Sequence, residues 1–176
     1  MKIGIDISQT AYGETGVSVF VTKLVKELAK IDKKNEYILF FSSLRSKLKP
    51  EILTLRSSNL KITTFPFPPT FLDFLWNKLH IFPVEWLIGE VDVFITSDWT
   101  EPPAIKARKA TILYDLIVYK YPKGTVKKII SVQKRKLKWV KKESKMIFCI
   151  SDSTKKDAME ILGIENKRLK VIYPGI

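Results

Sequence analysis

The sequence predicts an α/β domain in which helices cover both faces of a doubly wound, mainly parallel β-sheet. Short apolar runs rich in β-branched residues alternate along the chain with segments of helical periodicity. Several of these runs lack a polar–apolar alternation, as expected for strands that are covered on both faces. Glycines mark the turns after strands, and repeated strand–helix units favour an open parallel sheet. No internal repeat or low-complexity linker interrupts the pattern, so one domain is predicted over residues 1–176.

The first half of the chain begins with a predicted strand at 2–7 and a glycine-punctuated loop at 11–16. Thr15 is a candidate N-cap for the helix that follows, because its hydroxyl can accept a hydrogen bond from a free amide. That helix has one apolar face, formed by Val17, Phe20, Val21, Leu24, Val25 and Leu28. Further strands are predicted at 36–42, 60–65, 91–96 and 110–115.

The second half begins with a long basic helix, predicted at 125–143, and a sixth strand at 145–150. Ser151 or Ser153 can cap the next helix, which is predicted to run to Leu162 and to end at Gly163. The last strand is predicted at 169–173. Strands and helices therefore continue to alternate up to the end of the sequence.

The composition is strongly basic, with 31 lysine and arginine residues against 18 acidic ones and a net charge of +13. Such a surface suits nucleic acid, an anionic membrane or phosphorylated small molecules, and it can also simply be solvated. Proteins that read nucleic-acid bases rely on arginine forks, whereas nearly all the basic residues here are lysine. Nucleic acid is therefore a disfavoured partner.

Other classes of protein are disfavoured by the apolar and metal-binding residues. The apolar stretch 65–82 is interrupted by proline and polar residues, so no bilayer-spanning helix is predicted. The N-terminus lacks the pattern of a secretory signal, which predicts a cytoplasmic protein. Cys149 is the single cysteine, and its apolar surroundings predict a buried, inert thiol. With His80 as the single histidine, no metal site is predicted.

Candidate binding residues follow the strands, because ligands of such sheets bind at the carboxyl ends of the strands. Gly13, Thr15 and Gly16 lie in a loop that leads into a helix N-terminus, where close backbone approach and free amides favour an anion. Hydroxyl, carboxylate and amine groups follow the later strands at Asp98, Thr100, Tyr114, Asp115, Ser151, Ser153 and Lys155. Their convergence on one rim suits a polyol or a phosphate, although the serines can equally serve as helix caps.

The order and spacing of several segments resemble the family-4 retaining glycosyltransferases, in particular a bacterial mannosyltransferase-like group. These segments are Ile3–Asp6, Thr15-Gly-Val17, Ser97-Asp-Trp-Thr-Glu-Pro-Pro103, Thr111-Ile-Leu-Tyr-Asp-Leu116, Ile150-Ser-Asp-Ser-Thr-Lys155 and Val171-Ile-Tyr-Pro-Gly175. The resemblance implies a GT-B architecture, in which two Rossmann-like domains face a cleft. Residues 1–176 are then the N-terminal, acceptor-side domain. A C-terminal domain, in the same chain or as a separate subunit, is expected to hold the donor.

The same resemblance implies roles for the candidate residues. The loop of Gly13, Thr15 and Gly16 is expected to approach the phosphate or the sugar of the donor. No cofactor and no metal are implied, because the nucleotide-sugar is a substrate and retaining members of this kind need no metal. The acceptor implied is a glycan or a lipid-linked molecule. The residues assigned to the acceptor side or to the interdomain cleft are Asp98, Thr100, Ser151, Ser153 and Lys155.

The sequence departs from the family pattern at two places. The family usually has His-Asp where this chain has Tyr114-Asp115, and the family histidine lies near the reacting sugar. Tyrosine can donate a hydrogen bond, but its pKa near ~10 does not suit acid–base catalysis. The sequence also ends at Ile176, where the interdomain linker is expected, so the chain alone is predicted to be inactive. A second function therefore stays open, as a non-catalytic, membrane-associated scaffold or a partner subunit of a separate transferase.

The basic helix at 125–143 also predicts docking on an anionic membrane. Its apolar stripe faces away from most of its lysines, and Trp139 lies among those lysines as an interfacial anchor. Aromatic residues between 71 and 88 add candidates for exposure. The alternative is that the stripe and the aromatics are core and the lysines are solvated. The residues assigned to docking are Lys127, Lys128, Lys134, Arg135, Lys138, Trp139 and Lys142.

Overall fold

A seven-stranded sheet forms the centre of the protein in a computed structural model that describes residues 1–55 and 57–175. Its strands are β1 (Lys2–Asp6), β2 (Glu36–Ser42), β3 (Leu60–Phe65), β4 (Val93–Thr96), β5 (Arg108–Leu113), β6 (Met146–Cys149) and β7 (Leu169–Val171). The strand order is β3-β2-β1-β4-β5-β6-β7, and each neighbouring pair in this part of the chain is parallel. The predicted fold class is confirmed, with every predicted strand present.

A topological switch point lies between β1 and β4, because the chain builds the sheet outward from this pair in both directions. β1 pairs with β2 on one side and with β4 on the other. Ligands of doubly wound sheets bind where the order reverses, at the carboxyl ends of the strands. That edge carries Asp6 at the end of β1 and Ser97 directly after β4.

Helices cover both faces of the sheet and connect its strands. The α-helices are α1 (Gly16–Ile31), α2 (Pro50–Leu53), α3 (Pro69–Leu72), α4 (Glu85–Ile88), α5 (Ile117–Lys120), α6 (Lys127–Glu143) and α7 (Asp152–Leu162). A π-helical turn at Asp73–Lys78 follows α3. Gly163 ends α7 as predicted, in the left-handed conformation with φ of 63°. Within the described residues, no helix has the length and apolar character that crossing a bilayer requires.

The sequence of β2 lacks a polar–apolar alternation because the side chains on both faces of this strand are buried. Leu39 packs with Val21 and Val25 of α1 on one face. Phe40 points to the other face, where it packs with the buried ring of Trp76. Successive residues of a strand point to opposite faces, so a continuous apolar run is what a strand between two helical layers needs.

Several predicted boundaries differ from the structure. The strand predicted at 110–115 runs over Arg108–Leu113, because its pairing with β4 begins at Arg108 and the chain has left the sheet by Tyr114. The strand predicted at 91–96 begins at Val93, and the last strand ends at Val171. The basic helix begins at Lys127 rather than 125, after a 3-10 turn.

The buried face of α1 is rotated from the predicted apolar face. Ser18, Thr22 and Ala29 are buried, whereas Phe20 and Leu24 are only partly covered. The small side chains let the helix lie close to the sheet, and the Thr22 hydroxyl is satisfied because it donates 2.7 Å to the Ser18 carbonyl. Phe20 and Leu24 are left to line a groove on the surface.

Candidate functional site

A cavity of about 240 Å³ lies at the carboxyl ends of β4 and β5, beside the switch point. Polar groups of four parts of the chain meet there: the loop after β4, the residues that follow β5, the turn before α6 and α6 itself. The polar lining residues are Ser97, Asp98, Tyr114, Asp115, Thr125, Gln133 and Lys136, and the apolar ones include Val17, Trp99, Ile117 and Ile129. The structure thus brings Asp98, Tyr114 and Asp115 together, as the sequence predicts.

Asp98 lines this cavity with a carboxylate that is only partly satisfied. The Gln133 side-chain amide donates 3.1 Å to the Asp98 carbonyl and 3.1 Å to its Oδ1 atom. Within the described residues, Oδ2 accepts no hydrogen bond. Burial raises the pKa of Asp98, while the positive charge of Lys136 and the Gln133 hydrogen bond lower it. Asp98 therefore offers a partly desolvated acceptor to a ligand hydroxyl.

Tyr114 contributes a neutral hydroxyl to the same cavity. Its Oη atom lies 2.7 Å from Ser97 Oγ, and its ring packs edge-on against Phe20 of α1 at 5.7 Å. Burial raises the pKa of Tyr114 well above its ordinary value, and the Asp98 and Asp6 charges add to that shift. The group therefore stays protonated and acts as a hydrogen-bond partner. Asp115 is exposed next to it, and its Oδ1 accepts from Ile117 N at 3.0 Å.

The buried ammonium group of Lys136 contacts the loop that carries Asp98. Lys136 is 2% exposed, and its Nζ donates to the Ser97 carbonyl. Burial lowers the pKa of Lys136, whereas the charges of Glu101, Asp98 and Asp6 raise it. The cation thus balances carboxylates at the ends of β1 and β4 and ties α6 to the loop that carries Asp98.

Lys136 and Asp6 are site residues that the sequence reasoning missed. Lys136 lies four residues after Val132 and four before Val140, and all three are buried on one face of α6. This spacing was the available signal, because it places a lysine within an apolar stripe. Asp6 is buried at the end of β1, where it accepts hydrogen bonds from Ser8 N at 2.9 Å and Gln9 Nε2 at 3.3 Å. Burial raises the pKa of the Asp6 carboxyl.

The predicted donor loop lies at the N-terminus of α1, close to Tyr114. Gly13 has φ of 58°, a conformation that glycine adopts without strain. Thr15 caps α1 as predicted, since its Oγ1 accepts from Ser18 N at 3.2 Å. Gly16 lines a groove of about 1070 Å³ together with Tyr114 and Asp115. Thr100 lies apart from this groove and lines a small cavity of about 20 Å³ beside Asp6.

The residues predicted after β6 do not line the Asp98 cavity. Ser151 is the N-cap of α7, accepting from Thr154 N at 3.1 Å, so its hydroxyl serves the helix. Ser153 is exposed and Lys155 is partly buried on the same helix. Thr154, which the sequence reasoning did not select, connects α7 to the site because its hydroxyl donates 2.9 Å to the Tyr114 carbonyl.

Two residues assigned to membrane docking have partners within the protein. Trp139 stacks on His80 with 3.5 Å between ring centroids and 6° between planes, and its indole N–H donates 2.8 Å to the Asn77 carbonyl. Arg135 forms an ion pair with Asp73. The expectation that Trp139 projects as an anchor is therefore wrong, because its ring is held between α6 and the segment that follows α3. The remaining docking residues, Lys127, Lys128, Lys134, Lys138 and Lys142, are exposed.

Neither Cys149 nor His80 lines the Asp98 cavity. Cys149 is buried in β6, and burial raises the pKa of its thiol to about 11. His80 contacts Glu143 at 2.9 Å, away from the switch point. Among residues 1–55 and 57–175, no three histidine, cysteine or acidic side chains are placed to share a metal ion.

The sequence matches the family model described as Glycosyltransferase Family 4 over residues 15–176. Among solved structures, the fold resembles Phytolacca americana apo UGT2, with a TM-score of 0.56 and 12% sequence identity over 99% of this chain and 52% of that chain. It also resembles Phytolacca americana UGT2 complexed with UDP-2fluoro-glucose and pterostilbene, with a TM-score of 0.53, 11% identity and the same coverage of 99% and 52%. No curated protein matches the sequence significantly.

The two kinds of match carry different weight. At 12% and 11% identity, the structural likeness shows the fold alone, and this chain spans about half the length of those structures. The family match covers nearly all of the chain, and the Rossmann-like parallel sheet is the fold that the family requires. The chain therefore belongs to Glycosyltransferase Family 4 and forms a GT-B glycosyltransferase domain.

Proposed function

We propose that this domain binds the acceptor of a nucleotide-sugar-dependent, retaining glycosyltransferase that transfers a hexose to a glycan or a lipid-linked acceptor. A second domain, in the same chain or as a separate subunit, supplies the donor, and this domain alone is inactive. The observation that carries the proposal is the position of Asp98, in a cavity at the switch point of a family-4 domain. We propose a cytoplasmic location for this reaction.

The chemistry of the cavity supports a sugar as its ligand. Asp98 offers a free carboxylate oxygen, Tyr114 and Ser97 share a pair of hydroxyls, and Gln133 adds an amide. Sugar hydroxyls donate and accept at once, so they match a site that mixes acceptors with reversible donors. A cavity of about 240 Å³ is smaller than the ~300–1,000 Å³ of sites for drug-sized ligands, which suits a single sugar ring.

The N-terminus of α1 supports a role beside the donor phosphate. Gly16 and Val17 are the first residues of this helix, and Gly16 borders the groove that also contains Tyr114 and Asp115. Free amides and the helix dipole favour an anion at such a position. We propose that a donor held by the second domain places its phosphate near this end, while the acceptor occupies the Asp98 cavity. Ser153 and Lys155 are proposed to face the same cleft.

The tyrosine at position 114 favours a second candidate function. A neutral Tyr114 can hydrogen-bond a sugar but cannot exchange a proton near neutral pH, because burial raises the pKa of its hydroxyl. If the reaction needs the family histidine, the domain serves as a non-catalytic partner of a separate transferase. Transfer by the native protein, with Tyr114 in place, separates the two functions. A working transferase is active with tyrosine, whereas a non-catalytic partner is inactive and gains transfer, if at all, only after Tyr114→His.

Binding of a panel of monosaccharides and disaccharides, measured by saturation-transfer NMR, tests the acceptor pocket. We expect at least one saccharide to bind the wild-type chain and to bind about 10–100-fold more weakly to Asp98→Ala, because a hydrogen bond to a charged group contributes about 1.5–3 kcal/mol. Asp92→Ala is the matched control, since this exposed aspartate precedes β4 at the opposite end of the sheet and does not line the cavity. Equal binding to wild type and Asp98→Ala contradicts the proposal.

The intact mass of the native polypeptide tests where the donor domain resides. A mass about twice the 20.3 kDa of this chain places the second domain in the same polypeptide. A mass near 20.3 kDa instead requires a separate donor-binding subunit or a non-catalytic role. Ile176, where the sequence predicts the linker, lies outside the described residues.

A further inference from the structure

One flank of the molecule exposes an apolar surface that the glycosyltransferase site does not use. We call it the aromatic flank, and it consists of Phe74, Leu79, Ile81, Phe82 and Trp86. Between 37% and 64% of each of these residues is exposed. They come from the π-helical turn, the loop that follows it and α4, so one short stretch of chain supplies the whole surface. Phe82 and Trp86 contact each other, with 5.1 Å between ring centroids, and large apolar side chains exposed close together mark an interaction surface.

The backbone of this stretch is held in a fixed, unusual shape. His80 and Phe82 have positive φ values of 55° and 68°, which residues with bulky side chains rarely adopt. Surrounding contacts hold the strained loop in place: Trp76 Nε1 donates 3.0 Å to the Phe82 carbonyl, and the His80 ring stacks on Trp139. Such strain persists only where neighbouring structure fixes it and is often linked to function. Here its consequence is that Ile81 and Phe82 face solvent.

The charges around the aromatic flank are positive. Lys78 lies over the Phe74 ring at 5.5 Å, and Lys138 and Lys142 lie over Trp139 at 5.3 and 5.0 Å. None of these three lysines has an ion-pair partner in the part of the chain that the structure describes. The surface is therefore left with uncompensated positive charge beside its apolar groups.

The nearby carboxylates are already engaged by other groups. Asp73 pairs with Arg135, and Glu143 pairs with Lys109 at 2.9 Å. Glu85 accepts from three backbone amides between 105 and 107. Two of these three carboxylates are thus paired with cations of the protein, which leaves Lys78, Lys138 and Lys142 as the charges that an approaching anionic surface meets first.

We infer that the aromatic flank, with Lys78, Lys138 and Lys142 beside it, docks on the interface of an anionic lipid bilayer. Aromatic and aliphatic side chains enter the region of the lipid headgroups, and the lysines pair with anionic lipids. A protein partner is the weaker alternative, because unpaired lysines are depleted from the cores of protein interfaces, whereas they are favoured beside a membrane. Of the residues that the sequence assigns to docking, the inferred surface keeps Lys138 and Lys142 of α6, and it adds the loop whose His80 ring stacks on Trp139.

The docking surface is also connected to the acceptor cavity. Asn77, in the π-helical turn, donates 2.9 Å to the Trp99 carbonyl and accepts 2.9 Å from Glu101 N. These bonds join the aromatic flank to the loop that carries Asp98. The inference itself does not depend on what the cavity binds.

Vesicle binding by the purified chain tests the inference, with vesicles of phosphatidylcholine alone or mixed with phosphatidylglycerol. We expect co-sedimentation only with the anionic vesicles. Lys78→Ala/Lys138→Ala/Lys142→Ala weakens partitioning about 100-fold, since each lysine near a membrane contributes about 1 kcal/mol. The charge-matched control, Lys30→Ala/Lys156→Ala/Lys167→Ala, removes the same charge elsewhere and should weaken it far less.

The aromatic part of the surface is tested separately. Phe82→Ser/Trp86→Ser is expected to weaken partitioning at least tenfold, whereas Ile31→Ser/Leu53→Ser, at exposed apolar positions on α1 and α2, leaves it unchanged. Brominated lipids should quench the fluorescence of wild type, and Trp86→Phe should lose most of that quenching while still binding. Circular dichroism of each variant checks that the fold is retained.

Three outcomes would overturn the inference. The first is that anionic vesicles do not bind the chain. The second is that both lysine triples weaken binding equally, which indicates adsorption of the whole basic surface. The third is that Phe82→Ser/Trp86→Ser changes the sedimentation coefficient without changing vesicle binding, which assigns the aromatic flank to a second copy of the chain.

Discussion

Lys136→Met is the substitution that most sharply tests the electrostatics beneath the Asp98 cavity. Methionine keeps the length and apolar character of the buried stem, so the packing of α6 should change little. It removes the ammonium that donates to the Ser97 carbonyl and that faces Asp6, Asp98 and Glu101. The variant therefore tests the charge of Lys136 rather than its volume.

The expected loss of stability follows from which carboxylate is left without a cation. Glu101 keeps a partner, because Lys109 lies 3.1 Å from it. Asp6 is 2% exposed, and burial raises the pKa of its carboxyl while the charge of Lys136 partly offsets that shift. Removing the compensating charge from a buried carboxylate costs about 1–3 kcal/mol. With a urea m-value of about 2–3 kcal/mol/M, the unfolding midpoint should fall by about 0.8 M.

Urea unfolding of wild type and Lys136→Met at several pH values measures this loss. The pKa of Asp6 in the folded protein lies above the ordinary value of 3.8, so protonation favours the folded state. The deficit of Lys136→Met should thus be largest at neutral pH and shrink as pH falls toward 3.8. Adding Asp6→Asn to Lys136→Met should recover at least about 1 kcal/mol, since the two sites interact. A loss below about 1 kcal/mol at pH ~7, or a deficit that grows on acidification, refutes the reasoning.

Three further substitutions test the fold and the site by thermal and urea unfolding. Gly4→Ala should destabilise by about 1–3 kcal/mol, because a Cβ at this position lies 2.6 Å from the Phe94 ring; an unchanged midpoint contradicts that close packing. Ser151→Ala should cost about 0.5–2 kcal/mol through loss of the α7 cap, with the exposed Ser153→Ala as a near-neutral control. Asp98→Asn should stabilise the protein by roughly 0.5–2 kcal/mol at neutral pH, because burial raises the pKa of Asp98 and the charged form is disfavoured. That gain should fade as pH drops toward 3.8, where the wild-type carboxyl is itself protonated, and a gain that persists there argues against a charge effect.

The fold could be predicted from the sequence because its signals are local. The apolar run of β2 requires burial on both faces, and the caps at Thr15 and Ser151 mark where helices begin. A chain that repeats strand and helix in this way has few arrangements other than a parallel sheet. The predictions of strand ends were less accurate. For example, β5 ends at Leu113 because its pairing with β6 stops there.

The site was only partly predictable, because its remaining members depend on contacts between distant parts of the chain. Asp98 and Tyr114 could be selected from their positions after strands. Lys136 was hidden among many lysines, and its burial results from carboxylates on other elements. Trp139 was assigned to a membrane because its surroundings in sequence are basic, whereas its indole binds the carbonyl of Asn77, 62 residues away. Composition alone cannot distinguish a buried lysine from an exposed one, or a packed tryptophan from a membrane anchor.

Transfer by the native polypeptide, together with any subunit that copurifies with it, tests the acceptor assignment most directly. Initial rates with a nucleotide-sugar donor and a saccharide identified by binding are compared for wild type, Asp98→Ala and Asp92→Ala, with product followed by mass spectrometry. We predict that Asp98→Ala raises the acceptor KM about 10–100-fold and leaves the donor KM unchanged, while Asp92→Ala, at the opposite end of the sheet, behaves as wild type. An unchanged acceptor KM in Asp98→Ala, or a change confined to the donor KM, would contradict it.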